Sequence, residues 1–442
     1  MNCSECGAGL LHKVRIRHRV TPFSQRVRLQ AHSSSDIAHR HPINVSVGLG
    51  SSCDARDGKV FMHYRTLGRT GIEVSALGFG CMRLPTLGAP DRIDTAAATR
   101  LLRDAIEMGV NYVDTAWFYH ATRFGQEGQS EPFVGNALSG GWRDRVQLAT
   151  KLPQQIIKTR EDMDRFLTRQ LERLQTDHID FYLVHGLDGE SWNRMRDLGV
   201  REFLDGARKQ GLIRFPAFSF HGQVDDFPRI IDEYDSWAFG QLQYNYMDTS
   251  YQAGYSGLRY AAQKDVGVVV MEPLKGGRLA KNLPAEMQAV FDNRPEGWSP
   301  AEWALRYVWN EPGVSLLLSG MNDPAQLQEN VRVADVARPG ALTAEHLAVY
   351  DAARAAMKAR MKVDCSACRY CQPCPQGVEI PELMAALNAA SMWDVKDPWL
   401  TGYVRIGGKP DACTECGQCE GICPQGLPIR KLLKETTATF AG

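Results

Sequence analysis

The sequence predicts an α/β protein: a (β/α)8 TIM barrel followed by a small, mostly helical domain rich in cysteine. Three observations carry this reading. From Ser75 onward, eight short runs of β-branched and aromatic residues alternate with amphipathic helical stretches, the pattern of βα units and a parallel sheet. None of these runs leads into G-x-G-x-x-G, so the competing doubly wound sheet lacks its pyrophosphate-binding signature. After Pro339 the pattern changes, and eight of the twelve cysteines fall between Cys365 and Cys423.

Residues 1–61 stand apart, being basic, rich in histidine and serine, and without sustained periodicity. They read as a disordered extension, or as sequence upstream of a start at Met62. Their Cys3-x2-Cys6 has no second pair nearby and is a weak metal signal. The barrel domain is expected over 62–340, opening with a hairpin, Tyr64–Glu73, that uses Gly68 and Gly71 to close the floor. The predicted strands are 75–82, 111–116, 146–152, 180–186, 214–221, 240–246, 267–274 and 315–321. Helices lie between them, as at Thr95–Met108, Glu161–Leu174 and Val200–Gln210. The C-terminal domain is expected over 341–442, with helices at Ala344–Met361 and Pro381–Ala390 and a cysteine run after each.

Composition excludes several classes. The 51 basic and 51 acidic residues cancel, so overall charge points to neither nucleic acid nor an anionic membrane. No apolar run approaches the roughly 20 residues that span a bilayer. Clustered cysteines at metal-ligand spacing favour a reducing compartment, so the expected location is cytoplasmic.

In a barrel, the C-terminal ends of the strands are neighbours and carry the active site. Asp114, Tyr119, Lys151 and His185 all fall at or just past such ends. Taken singly, each is more simply a cap or a packed polar residue; together, at successive strand ends, they form a proton-donating site for a carbonyl oxygen. A neighbouring ammonium is expected to lower the pKa of Tyr119, near 10 when free, and make it a competent general acid. Asp114 would keep Lys151 charged, and His185 would orient the carbonyl. Trp117, Phe118 and His120 flank the acid and are as readily packing residues as pocket lining. Cys81 reads as a small buried apolar residue.

The strings YRTLGRTGIEVSALGFGCMRLP, NYVDTAWFYH with GQSE downstream, LATKLP, HIDFYLVHG, QLQYNY, MEPLKGG and SGMNDPAQLQEN resemble the aldo/keto reductase superfamily from about Tyr64 to Ala334. The resemblance implies a catalytic tetrad of Asp114, Tyr119, Lys151 and His185, with Tyr119 as proton donor. It also implies NAD or NADP bound in extended form without a Rossmann motif. Ser219 and Gln241 match residues that hold the nicotinamide carboxamide, and Met271 stands where many members stack a tyrosine. Pro273, Leu274, Gly276 and Gly277 match the loop beside the pyrophosphate. Glu329 and Asn330 match residues near the adenine. Gly320 and Gln326 replace basic residues that many NADPH-specific members aim at the 2′-phosphate, which weakens the case for NADPH.

Cys413, Cys416, Cys419 and Cys423-Pro424 have the full ferredoxin spacing C-x2-C-x2-C-x3-C-P. The run CSACRYCQPCPQG, with Cys365, Cys368, Cys371 and Cys374, is one residue short in its last step. Evenly spaced triplets closed by Cys-Pro favour clusters over zinc, which is expected on paired CxxC units. In two-cluster ferredoxins the fourth cysteine ligates the other cluster. Two [4Fe-4S] clusters are therefore expected, one on Cys365, Cys368, Cys371 and Cys423, the other on Cys413, Cys416, Cys419 and Cys374. The segment resembles the ferredoxin-like tail of one aldo/keto reductase branch.

The expected function is NAD(P)H-dependent reduction of an aldehyde or ketone, with a small-molecule carbonyl substrate and a redox partner protein as further partner. Hydride moves two electrons and each cluster one, so the clusters cannot simply accept a hydride. The alternative is an electron-transfer protein whose clusters relay electrons between a ferredoxin or flavin partner and the barrel. A third reading makes the clusters a structural staple.

Overall fold

Strand β1 (Tyr64–Thr66) reverses through a single 3₁₀ turn and pairs antiparallel with β2 (Glu73–Ser75), Tyr64 facing Ser75. This is the expected floor hairpin. A side chain at Gly68 would place its Cβ 2.3 Å from the Gly267 amide nitrogen, and the residue has φ +49°, so glycine is needed on both counts. The computed structural model describes residues 62–441 except 124 and 293. The segment 1–61, with its Cys3–Cys6 pair, lies outside the described residues.

All eight predicted runs are strands: β3 (Leu77–Gly80), β4 (Tyr112–Asp114), β5 (Gln147–Leu152), β6 (Ile179–Leu187), β7 (Ile213–Phe220), β8 (Phe239–Gln243), β9 (Gly267–Met271) and β10 (Leu316–Ser319). They pair in parallel in chain order, and β10 closes on β3. The three sampled helices stand at Thr95–Glu107, Arg160–Leu174 and Val200–Lys209. Asp94 caps the first by accepting from the Ala97 N–H at 3.0 Å.

Strand side chains alternate between two cores. Tyr112, Ala149, Leu183, Ala217, Phe239, Val269 and Leu316 turn inward and plug the barrel. Gly78 also points inward, where a Cβ would lie within 3 Å of Leu316 and Leu318. Val113, Leu148, Tyr182, Val184, Phe218 and Val268 turn outward and join Leu102, Leu167 and Phe203 of the helices in the larger cluster.

Helix Ala344–Ala359 packs on the barrel flank: Tyr350 donates to the Trp303 carbonyl at 2.8 Å and Arg354 to the Tyr246 carbonyl at 2.7 Å. Helices Ile380–Trp393 and Ile429–Phe440 pack together in a separate apolar cluster against which Cys365, Cys371, Cys374, Cys413, Cys419 and Cys423 lie. Asn388 ties the linker down, accepting from the Lys362 and Val363 N–H groups and donating to the Val363 carbonyl. Among the described residues no helix is long and apolar enough to cross a membrane.

Candidate active site and cluster sites

Two positions beyond its plug residue, every barrel strand presents one more inward side chain or glycine: Gly80, Asp114, Lys151, His185, Ser219, Gln241, Met271 and Leu318. Seven of the eight line one cavity of about 470 Å³ at the C-terminal end of the barrel, and Lys151 is buried at its base. The period of two that builds the plug also builds the ring above it.

Lys151 Nζ donates to Asp114 Oδ1 at 2.6 Å, to the Thr115 carbonyl at 2.8 Å and to the Tyr119 hydroxyl at 3.2 Å. That uses all three ammonium donors, and because the Tyr119 oxygen accepts, its own O–H is free to face the cavity. The ammonium also lies 4.7 Å from the Tyr119 ring centre. His185 meets the Tyr119 ring edge-on, with centroids 6.2 Å apart.

Burial raises the Asp114 pKa, with Lys151 working against it. Burial lowers that of Lys151, but Asp114 and Tyr119 together outweigh it, so the net direction is up and the amine stays charged. For Tyr119 the expectation was a lowered pKa. The direction is upward, because burial exceeds the opposing effect of Lys151 and Asp114 adds to it. Burial, then Lys151 and His221, push His185 well below the usual imidazole range, so it is neutral. Its Nδ1 is buried without a protein partner.

The eleven residues expected around a dinucleotide line the same cavity. Ser219 Oγ accepts from the Gly186 N–H at 2.7 Å. Gln241 turns its amide nitrogen to the Met271 sulfur at 3.7 Å, leaving its amide oxygen buried and unpartnered. Pro273, Leu274, Gly276 and Gly277 form one wall; Gly320, Gln326, Glu329 and Asn330 form another. Asn330 donates to Ser319 Oγ at 3.0 Å, and Glu329 accepts from Ser299. Sequence reasoning missed Arg83, His221, Glu272 and Lys281, which also line this cavity. Arg83 lays its stem beside Gly320 and its guanidinium beside Gly276, where added Cβ atoms would come within about 3.2 Å of it. Its place in the loop just after a barrel strand was the available signal.

A second, open groove of about 570 Å³ reaches Tyr119 and is walled by Met82, Phe118 and His120. Trp117 is not part of it; it is buried edge-on against Phe166, with the Arg173 guanidinium over its ring. Cys81 is fully buried.

The eight C-terminal cysteines divide into two sets. Cys365, Cys368, Cys371 and Cys423 line one small cavity. Cys374, Cys413, Cys416 and Cys419 line another, with Cys371 at the shared wall. The two cysteine loops repeat each other: Ala367 and Arg369 have φ 55° and 62°, and the equivalent Glu415 and Gly417 have 57° and 78°. Among the described residues no three His, Cys, Asp or Glu side chains converge tightly enough for a single ion. Four thiolates to a cavity is the ligand number of a [4Fe-4S] cluster.

Residues 76–348, more than half of the chain, match the aldo/keto reductase family. The chain belongs to that family. Residues 364–427 match the 4Fe-4S dicluster domain. An L-galactose dehydrogenase from Arabidopsis thaliana is 27% identical over 285 residues, covering 60% of this chain and 86% of its own length. A 6-dehydroglucose reductase from Novosphingobium aromaticivorans is 25% identical over 62% of this chain and 90% of its own. The holo form of an aldo-keto reductase from Bacillus halodurans superposes with a TM-score of 0.55 at 27% identity, covering 66% of this chain and 96% of its own. The protein is thus an oxidoreductase of the aldo/keto reductase family with an iron–sulfur domain.

In this aldo/keto reductase the cluster of Asp114, Tyr119 and Lys151 is supported from behind. In the GQSE string, a Cβ on Gly128 would lie 1.9 Å from the Tyr119 carbonyl oxygen, so the two segments touch backbone to backbone. Ser130 pairs with the Thr115 hydroxyl at 2.8 Å. Glu131, fully buried, accepts from Thr150 at 2.7 Å and pairs with Arg173 at 2.9 Å. His120 clamps the loop over the groove, its Nδ1 at 2.6 Å from the Pro90 carbonyl and its Nε2 accepting from the Leu84 N–H at 3.2 Å.

Proposed function

We propose that this aldo/keto reductase reduces an aldehyde or ketone at the expense of NADH or NADPH, with Tyr119 donating the proton. The observation that carries the reading is the Lys151 ammonium shared between the Asp114 carboxylate and the Tyr119 hydroxyl at the base of a deep cavity. When bound, a dinucleotide supplies the hydride. The lining residues fit such a ligand. The unpartnered amide oxygen of Gln241 would take a carboxamide N–H, with Ser219 beside it and the Met271 thioether against the ring. Arg83, its guanidinium beside Gly276, and Lys281 would meet the pyrophosphate.

Tyr119 keeps its proton at neutral pH, because burial raises its pKa, and gives it up only as negative charge develops on the substrate oxygen beside Lys151. Neutral His185 offers one N–H to that same oxygen. The groove past Phe118 and His120 would receive the rest of the substrate. The relatives named for L-galactose and 6-dehydroglucose make sugar carbonyls reasonable first substrates to assay. The test is Tyr119→Phe. Carbonyl reduction is expected to fall by roughly 10²-fold or more, with dinucleotide binding retained; unchanged reduction would remove Tyr119 from the role.

A second reading adds electron exchange through the C-terminal domain, each cysteine set binding one [4Fe-4S] cluster. It is favoured by the exposure of Cys368 and Cys416, one from each set, which leaves both cluster sites within reach of a protein redox partner. Anaerobic mixing with a reduced ferredoxin, followed by cluster absorbance during turnover, tests it. Clusters that neither bleach nor recover at turnover rates would leave them a structural role.

A further inference from the structure

Beyond β9 the cavity wall is an irregular loop in which Glu272, Lys275, Gly276 and Gly277 all have positive φ. Its one 3₁₀ turn is broken at Gly276. Backbone of this kind persists only where its surroundings over-determine it, and here side chains on two sides do so. Toward the barrel, Lys275 pairs with Asp248, which also accepts from Gln243 and Asn245. On the other side Arg278 donates to the Leu400 carbonyl, and its guanidinium carbon lies 5.9 Å from the Trp393 ring centre. Leu279, the next residue, is fully buried in the same apolar cluster as Trp393.

Both Arg278 contacts belong to the C-terminal domain. The turn that presents the Leu400 carbonyl is set by Asp397, whose carboxylate accepts from the Trp399 and Leu400 N–H groups at 2.7 and 3.3 Å. Trp393 is the last residue of helix Ile380–Trp393, and the first, Ile380, lines both cysteine cavities. That helix is roughly 21 Å long at 1.5 Å per residue. One rigid element therefore has the cysteines at its head and the pin on the cavity loop at its tail.

We propose that Arg278 is a positioning residue of the dinucleotide site, through which the cluster-bearing domain holds the loop Leu274–Lys281 in its binding form. This rests on the dinucleotide reading above. Leu274, Gly276, Gly277 and Lys281 face the cavity from this loop, and its two glycines bring no side chains to order it. Ordering the loop in the free protein spares that entropy on binding. Coupling of this kind is reciprocal, so bound dinucleotide stabilises the C-terminal domain in return.

The test uses the full-length, iron-loaded protein and fluorescence titration with NADH and with NADPH. Arg278→Ala is compared with Asp397→Ala, which keeps Arg278 and removes only the turn that presents its acceptor. Each variant is expected to raise Kd about tenfold while kcat at saturating dinucleotide stays within about twofold. The double variant is expected to be no worse than Arg278→Ala, because that substitution already removes the contacts with both the Leu400 carbonyl and the Trp393 ring. Anaerobic removal of iron by chelation is expected to raise Kd in the unsubstituted protein and not in Arg278→Ala. Unaltered Kd in both variants overturns the proposal. Failure of the unsubstituted protein to bind either dinucleotide overturns the dinucleotide reading beneath it, so the two failures are distinguishable.

Discussion

The ammonium of Lys151 lies 2.6 Å from the carboxylate of Asp114, and neither side chain is more than 2% exposed. Removing one partner of such a pair leaves a buried charge without compensation, at a cost of about 3–5 kcal/mol. Lys151→Met is therefore expected to lower the melting temperature and to abolish carbonyl reduction. The double variant Asp114→Asn/Lys151→Met is expected to recover most of the stability and none of the activity. Thermal unfolding and initial rates on one set of preparations check both halves.

Gly128 is predicted to be irreplaceable for a reason unrelated to flexibility. Its missing Cβ leaves room for the Tyr119 carbonyl, and overpacking of this sort costs about 1–3 kcal/mol. Gly128→Ala is expected to displace Tyr119 and cut kcat by at least about tenfold, with dinucleotide affinity unchanged. Equal kcat would show that the segment yields without moving the tyrosine.

The neutral His185 gives a pH dependence with a definite sign. Its pKa is held well below the unfolded value of 6.5, so below that pH the unfolded chain binds a proton that the native site refuses. The stability this contributes is present above pH 6.5 and is lost as pH falls toward the native pKa. His185→Gln is expected to flatten the fall in melting temperature between pH 6.5 and 5. The difference can reach one proton, about 1.4 kcal/mol per pH unit. Parallel slopes for the two proteins would mean that the native imidazole titrates normally.

Arg83 offers the test of how phosphate is met. Arg83→Ala is expected to raise Kd for NADH and NADPH alike by about tenfold or more, since a charge-assisted hydrogen bond contributes about 1.5–3 kcal/mol. An effect on NADPH alone would move Arg83 from the pyrophosphate to the 2′-phosphate.

The proposed assignment of one cluster to each cysteine set predicts a crossed phenotype. Cys423→Ser is expected to halve the iron content and expose Cys365, Cys368 and Cys371 to alkylation, while Cys413, Cys416 and Cys419 stay protected. Mass-spectrometric mapping after anaerobic purification reads this directly. Exposure of the Cys413 run instead would mean that each run binds its own cluster.

Much of this was visible in one dimension. Strand alternation is a local property, so β4 and β5 could be placed from NYVDTA and LATKL, and with them Asp114 and Lys151 at neighbouring strand ends. The cysteine spacings were equally plain, because a thiolate loop closes within a few residues. Arg83 and Lys281 escaped notice because a place in a loop at the strand ends does not by itself distinguish a cation that faces the cavity from one that faces water. The direction of the Tyr119 shift was misjudged because a neighbouring ammonium could be inferred from strand order, whereas the extent of burial could not.

The order of the residues was enough to establish the eight-stranded barrel and the cysteine-rich domain after it, and it marked Asp114, Tyr119, Lys151 and His185 as candidates, since each reading rests on periodicity or short spacing that the chain carries wherever it folds. Folding in three dimensions settled the rest. Desolvation outweighs the Lys151 charge at Tyr119, Arg83 crosses from Gly320 to Gly276, and Arg278 pins a cavity loop to a carbonyl 122 residues further on. Burial and contact between distant segments are sums over the whole packed structure, and no local stretch of sequence contains them.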